Sequence, residues 1–210
     1  APSGVTIGRG YDVGQHTAAK TTADLVAAGI PEDQAAVFAE AAGKRGQTAQ
    51  QWLAENKGRL GEITSGQQKT LFDSTYGEMA GDVQRISDKK DTRAAYGEVD
   101  LKKADPTVRD LLVDLRYRGD YTTSSRKRVQ GLAAENDVAG LASVMNDRDQ
   151  WAGVPPDRFA RRAAYATQGA QEVQAQKDLA WTFAAPFEQV GNPGLDLHGR
   201  PVKKPEGSTP

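Results

Sequence analysis

The chain has 210 residues, 38% of them hydrophobic and 7% aromatic, with 27 lysines and arginines against 28 aspartates and glutamates. That is enough for one core, alone or with a tail, and a formal charge of -1 excludes a global basic field drawing the chain to nucleic acid or an anionic membrane. The absence of cysteine rules out a disulfide framework or a thiolate metal site, and two histidines far apart disfavour zinc.

In chain order, the first predicted element is a hairpin in GVTIGRGYD, residues 4–12. Val5, Ile7 and Tyr11 suit short extended arms, and Gly8 and Gly10 suit a tight turn or close approach of a ligand. Thr6 and Asp12 then fall on opposite arms. A GxG pair also opens nucleotide-binding fingerprints, but no strand-turn-helix unit with a third spaced glycine follows. Without further context, Asp12 reads as a turn aspartate bonded to local amides, and Thr6 as a strand residue.

Helical patterning dominates from there. Residues 21–29 offer Thr22 as a cap, Leu25 and Val26 as an apolar face and Gly29 as a stop; residues 31–43 open on Pro31 and two acids. Residues 47–59 centre on Trp52 and Leu53, and residues 63–79 carry Leu71, Phe72, Thr75 and Tyr76 behind a Ser65 cap. Asp105 and Pro106 mark the start of a helix with Val108, Leu111, Leu112 and Leu115 on one face, as expected of a central buried element. The longest candidate starts near Pro156 and runs towards Trp181 and Phe183, with Pro186 as its expected end. Beyond Val190 the sequence is rich in Gly, Pro and charge, as in a tail or linker. The expected fold is therefore mainly α, a helical bundle with a small N-terminal β-hairpin.

The segment DLRYRGDYT, residues 114–122, joins two arginines, two tyrosines and two aspartates at the end of an apolar helix. One reading is an ion-paired helix end, with Arg116 or Arg118 satisfying Asp114 or Asp120. The other is a sugar-binding wall, because such clefts use tyrosine faces and planar guanidinium donors. Trp52, Trp151 and Trp181 read as core anchors, His16 and His198 as surface or turn residues, and Glu32 and Glu40 as solvated helix residues. Either glutamate would need an apolar pocket to serve as a proton donor.

Four stretches together resemble the phage-type lysozymes, and in particular the pesticin-like bacteriocin and effector variant: SGVTIGRGYDVGQ at 3–15, SGQQKTLFDSTY at 65–76, VRDLLVDLRYRGDYT at 108–122 and GVPPDRFARRAAY at 153–165. The resemblance implies a lysozyme-like muramidase domain over residues 1–190 and a tail over 191–210. It implies cleavage of the β-1,4 bond between N-acetylmuramic acid and N-acetylglucosamine without a cofactor, in an antibacterial toxin or secreted effector delivered to the wall or periplasm of a target bacterium. Asp12 would be base or electrostatic stabiliser, and Thr6 would position the attacking water. Tyr11, Tyr117, Arg118 and Tyr121 become candidate substrate contacts. In this family a Glu on the helix before the hairpin completes the site, and it has no counterpart here. The expectation is that the segment bearing it was separated from this chain, and a severed helix can stay docked noncovalently.

The implied partners are peptidoglycan glycan strands, an immunity protein or that separated fragment, with no nucleic acid and no membrane span. The start APSGVTIGRG lacks the regions of a signal peptide. The alternatives are a module on the same fold that binds peptidoglycan or a partner without cleavage, and a helical interaction module whose hairpin is structural.

Overall fold

The computed structural model describes residues 2–189, with side chains through residue 180. The fold is mainly α: the described residues form nine α-helices and one two-stranded antiparallel hairpin at the N-terminal end. No helix among the described residues is long and apolar enough to cross a membrane. The expected tail at 191–210, His198 and the side chains of Trp181 and Phe183 lie outside the described residues.

The chain divides into two compact units. Of the described residues, one unit comprises 2–101 and 112–122, the other 102–111 and 123–189. In the first, β1 (Thr6–Ile7) and β2 (Tyr11–Asp12) lead into a 3-10 turn at Val13–Gln15 and then α1 (Ala18–Ala27), α2 (Glu32–Ala39), α3 (Gln47–Asn56), α4 (Ser65–Ser87) and α5 (Lys90–Tyr96). Val5, Ile7, Tyr11 and Val13 join Leu25, Ile30, Ala35, Phe38, Trp52 and Leu71 in one buried cluster, so the apolar face of the hairpin is part of the core. Each such large side chain contributes roughly 1.5–3 kcal/mol on burial, which fixes a hairpin too short to stand alone.

Local capping corrects two expectations. Thr17, not Thr22, caps α1, its hydroxyl accepting from the Lys20 amide, and Thr22 lies inside the helix. Thr64, not Ser65, caps α4: Gln67 stands three residues on and returns the bond to the Thr64 amide, forming a capping box, while Gln68 donates its side chain to the Ile63 carbonyl. Along α4, Leu71 is buried while Phe72 is 43% exposed, against Tyr76 at a ring separation of 6.3 Å. Gln84 clips the following loop to α4, donating to the Val99 carbonyl and accepting from the Leu101 amide.

The helix α6 (Pro106–Arg118) is central to the buried set, as its spacing predicts: Val108, Leu111, Leu112 and Leu115 are all at most 2% exposed. Residues 106–111 belong to the second unit and 112–118 to the first. At its end, the amides of Asp120 and Tyr121 both donate to the Leu115 carbonyl.

The second unit contains α7 (Thr123–Ala134), α8 (Val138–Asn146) and α9 (Pro156–Gln189), with α8 packed on both neighbours. Neither α7 nor α8 was anticipated, and the run Arg126, Lys127 and Arg128 lies on the first of them. Trp151 is buried, as expected of an anchor, with its indole donating to the Val144 carbonyl and the guanidinium carbons of Arg128 and Arg162 lying 5.1 and 5.3 Å from its ring centroid. Pro186 does not end α9, which continues to Gln189.

Candidate functional site

The hairpin register sets Thr6 directly opposite Asp12 and Ile7 opposite Tyr11. Opposed residues share a face of the ladder, and here the two pairs divide: Ile7 and Tyr11 are buried, whereas Thr6 is exposed and Asp12 half-buried. The fold thus brings the two predicted catalytic candidates together on the outer face.

Asp12 is held firmly. Its Oδ1 accepts from the amides of Gly4 and Gly14, each at 3.0 Å, and its Oδ2 from Gln15 Nε2 at 3.3 Å. Gln15 is itself oriented by Arg45, which donates to Gln15 Oε1 at 2.8 Å and to the Gly14 carbonyl at 2.9 Å. One carboxylate oxygen is therefore a structural acceptor, as an aspartate in a turn usually is. The other meets one longer bond and can accept from a water or a hydroxyl. Gln15 and Arg45 were missed in the sequence: Gln15 lies within the recognised motif but has an unremarkable side chain, and Arg45 sits 31 residues from the Gly14 it holds, with no local signal.

The turn is gripped from two sides. Gly8, at φ +55°, backs onto Gln68 and Ile63, and Gly10, at φ +116°, lies so close under Tyr117 that a methyl group would collide with the phenol oxygen. Tyr117 donates its hydroxyl to the Gly10 carbonyl, joining the end of α6 to the hairpin across 107 residues. Gly10→Ala is accordingly expected to destabilise the protein by about 1–3 kcal/mol, from left-handed backbone strain and the clash. Tyr117→Phe in the same chain should recover part of that loss in thermal unfolding. No recovery would mean that strain alone sets the cost.

Beneath the hairpin lies a charged network that the sequence did not reveal. Tyr11 donates to Asp24 Oδ2 at 2.7 Å, Lys20 bridges Asp24 and Glu78 at 2.9 and 2.6 Å, and the His16 ring stacks on Tyr11 with centroids 4.6 Å apart. Burial, then the Asp24 carboxylate, push the Tyr11 hydroxyl well above the phenol range. Burial and the adjacent Lys20 pull His16 below the usual imidazole value. Burial opposes the charge of Lys20, but its bonds to Glu78 and Asp24 outweigh this and raise it.

The four candidate substrate contacts separate. Tyr117 and Arg118 are exposed beside the hairpin turn. Tyr11 is 4% exposed with its hydroxyl committed to Asp24, and Tyr121 is 6% exposed with its hydroxyl 3.4 Å from Ser87 Oγ, so both side chains are spent on the interior. Neither aspartate of the 114–122 segment receives Arg116, which instead takes Asp82 on α4, with Nε at 3.0 Å. Bonds from Arg85 and Arg116 hold the Asp82 carboxyl below its ordinary range. A carboxyl that titrates lower folded than unfolded adds stability above its unfolded pKa and loses it as pH falls through the folded one. Because the site is about a third exposed, Asp82→Asn is expected to cost about 1 kcal/mol or less at pH 7. The gap to the parent protein in denaturant titrations should close in acid below the usual aspartate range, and a constant gap there would show that the charge is not what matters.

A second carboxyl poised as an acid does not emerge near the hairpin among the described residues. Glu40 receives both terminal nitrogens of Arg59, at 2.8 and 2.7 Å, which hold it below the usual glutamate range, and Glu78 is engaged by Lys20. No group of three or more histidine, aspartate or glutamate side chains suited to a metal ion occurs among the described residues.

Fold and site thus define a mainly helical domain that displays a threonine-aspartate pair on a buried-backed hairpin. Residues 1–163 match a family described as a domain of unknown function, DUF8812, and the chain belongs to that family. No curated protein and no solved structure matches it.

Proposed function

We propose that this is a lysozyme-like domain that acts on peptidoglycan, a muramidase cutting between N-acetylmuramic acid and N-acetylglucosamine, in an antibacterial toxin or secreted effector. The observation that carries the reading is the register of Thr6 opposite Asp12 on the outer face of the hairpin. In that arrangement the free lone pairs of Asp12 Oδ2 take a proton from, or stabilise charge beside, a water held by the Thr6 hydroxyl. Glycosidic cleavage also needs a carboxylic acid on the other side of the sugar. Glu40 and Glu78 are ion-paired, so the reading requires a glutamate in addition to the site residues named here.

The same ion pairs, with Asp12 Oδ1 tied to two backbone amides, favour a second reading: a module that binds glycan strands without cutting them. Digestion of purified peptidoglycan separates the two, with soluble fragments identified by mass spectrometry. New muramic-acid reducing ends support the enzyme. Retention of the protein on the wall without such ends supports the binding module, and neither retention nor products removes both.

A further inference from the structure

The arginines of the first unit fall into two groups. Arg59, Arg85, Arg93 and Arg116 each hold an aspartate or glutamate, and Arg45 holds oxygens of Gly14 and Gln15. Arg9 and Arg118, by contrast, have no carboxylate or hydrogen-bond acceptor among the described residues. Both flank the link between the end of α6 and the hairpin turn. Arg9 precedes Gly10, Arg118 follows Tyr117, and the hydroxyl of Tyr117 is bonded to the Gly10 carbonyl. Each arginine is thus the chain neighbour, about 3.8 Å between Cα atoms, of one residue of that pair. Arg9 stands between two glycines with left-handed φ values, one seated on Gln68 and Ile63 and the other under Tyr117, so its backbone is fixed before any ligand arrives. Both arginines are exposed.

Two exposed guanidiniums without internal partners, one on the turn that carries the Thr6 and Asp12 pair and one at the end of the helix bonded to that turn, are available to an anion. Arginine suits a planar carboxylate, which it takes by paired N–H donors. We infer that Arg9 and Arg118 bind the free carboxylates of the peptide stems on peptidoglycan, so that the site distinguishes stem-bearing glycan from an uncharged N-acetylglucosamine chain. This rests on the glycan reading above and adds to it the group recognised. The spare donors fit a discrete carboxylate better than a nucleic acid, since the chain has a formal charge of -1 and these are the two arginines of the first unit without an internal partner among the described residues.

The test compares three soluble probes by calorimetry: peptidoglycan fragments with their stems, the same fragments with stem carboxyls amidated, and N-acetylglucosamine oligomers of equal length. The protein is expected to bind the first about tenfold or more tightly than the other two. The double variant Arg9→Gln with Arg118→Gln should lose that preference, its affinity for the stem-bearing fragments falling to that for the uncharged oligomers. A preference that survives the double variant, or an equal loss for charged and uncharged probes, overturns the inference. Equal binding of all three probes by the unmodified protein overturns it too and leaves the glycan reading standing. Binding of none overturns both.

Discussion

Asp12→Asn is expected to lower the release of muramic-acid reducing ends by about 100-fold or more, the scale of a lost general base, while leaving thermal unfolding nearly unchanged. The two effects separate because the aspartate does two jobs with two oxygens. Asparagine keeps a carbonyl oxygen that can accept from the amides of Gly4 and Gly14, and asparagine is as good a cap as aspartate. What it loses is the anionic oxygen facing Gln15 and the open side of the hairpin. Asp12→Ala is the informative companion, because it removes the acceptor as well, leaves two part-buried amides unsatisfied and should cost about 1–2 kcal/mol of stability. Thr6→Ala should also slow turnover at unchanged stability, since the threonine hydroxyl has no role in the core. Wild-type turnover in Asp12→Asn, with equal folding, would falsify the assignment of this hairpin as the reacting site.

Leu115→Ala should be the most damaging of the simple truncations, at about 3 kcal/mol. Leu115 is fully buried on α6, and its carbonyl receives the two amides that turn the chain after Arg118. The substitution leaves those backbone bonds in place, so the loss reports packing alone. Arg118→Ala, three residues on and exposed, should stay within about 0.5 kcal/mol of the parent. Chemical denaturation of the pair, read by tryptophan fluorescence, would measure both. A loss below about 1 kcal/mol at Leu115 would mean that the surrounding side chains collapse into the space.

The sequence exposed those parts of the molecule whose physics is local. Alternation of Val5, Ile7 and Tyr11 around two glycines marks the hairpin, and the spacing of Val108, Leu111, Leu112 and Leu115 marks α6. Pro156 marks the start of α9. Helices α7 and α8 were not legible because three consecutive basic residues, Arg126 to Arg128, interrupt the apolar pattern of the first and both helices are short. In the site, Thr6 and Asp12 were legible through a motif, and their opposition follows from the hairpin itself. The bonds that distinguish Tyr117 from Tyr121, or Arg116 from Arg118, were not. They join residues 34 to 107 positions apart, and nothing in a stretch such as DLRYRGDYT tells which tyrosine turns inward. Glu40 shows the same limit: its expected solvated position is right, but its Arg59 partner arrives from 19 residues away.

The order in which the chain visits its two units has a practical meaning for anyone dissecting the protein. Because the path runs from one unit to the other inside α6 and returns after Thr122, neither unit corresponds to a continuous stretch of gene. A fragment ending at Leu101 would carry the Thr6 and Asp12 hairpin but leave behind Leu112, Leu115 and Tyr121, which are buried parts of the same unit, as well as the tyrosine that grips Gly10. Deletion libraries cut at the apparent loops would therefore yield pieces with interrupted interiors, and exchange of parts between relatives in this family would have to move two separated segments at once.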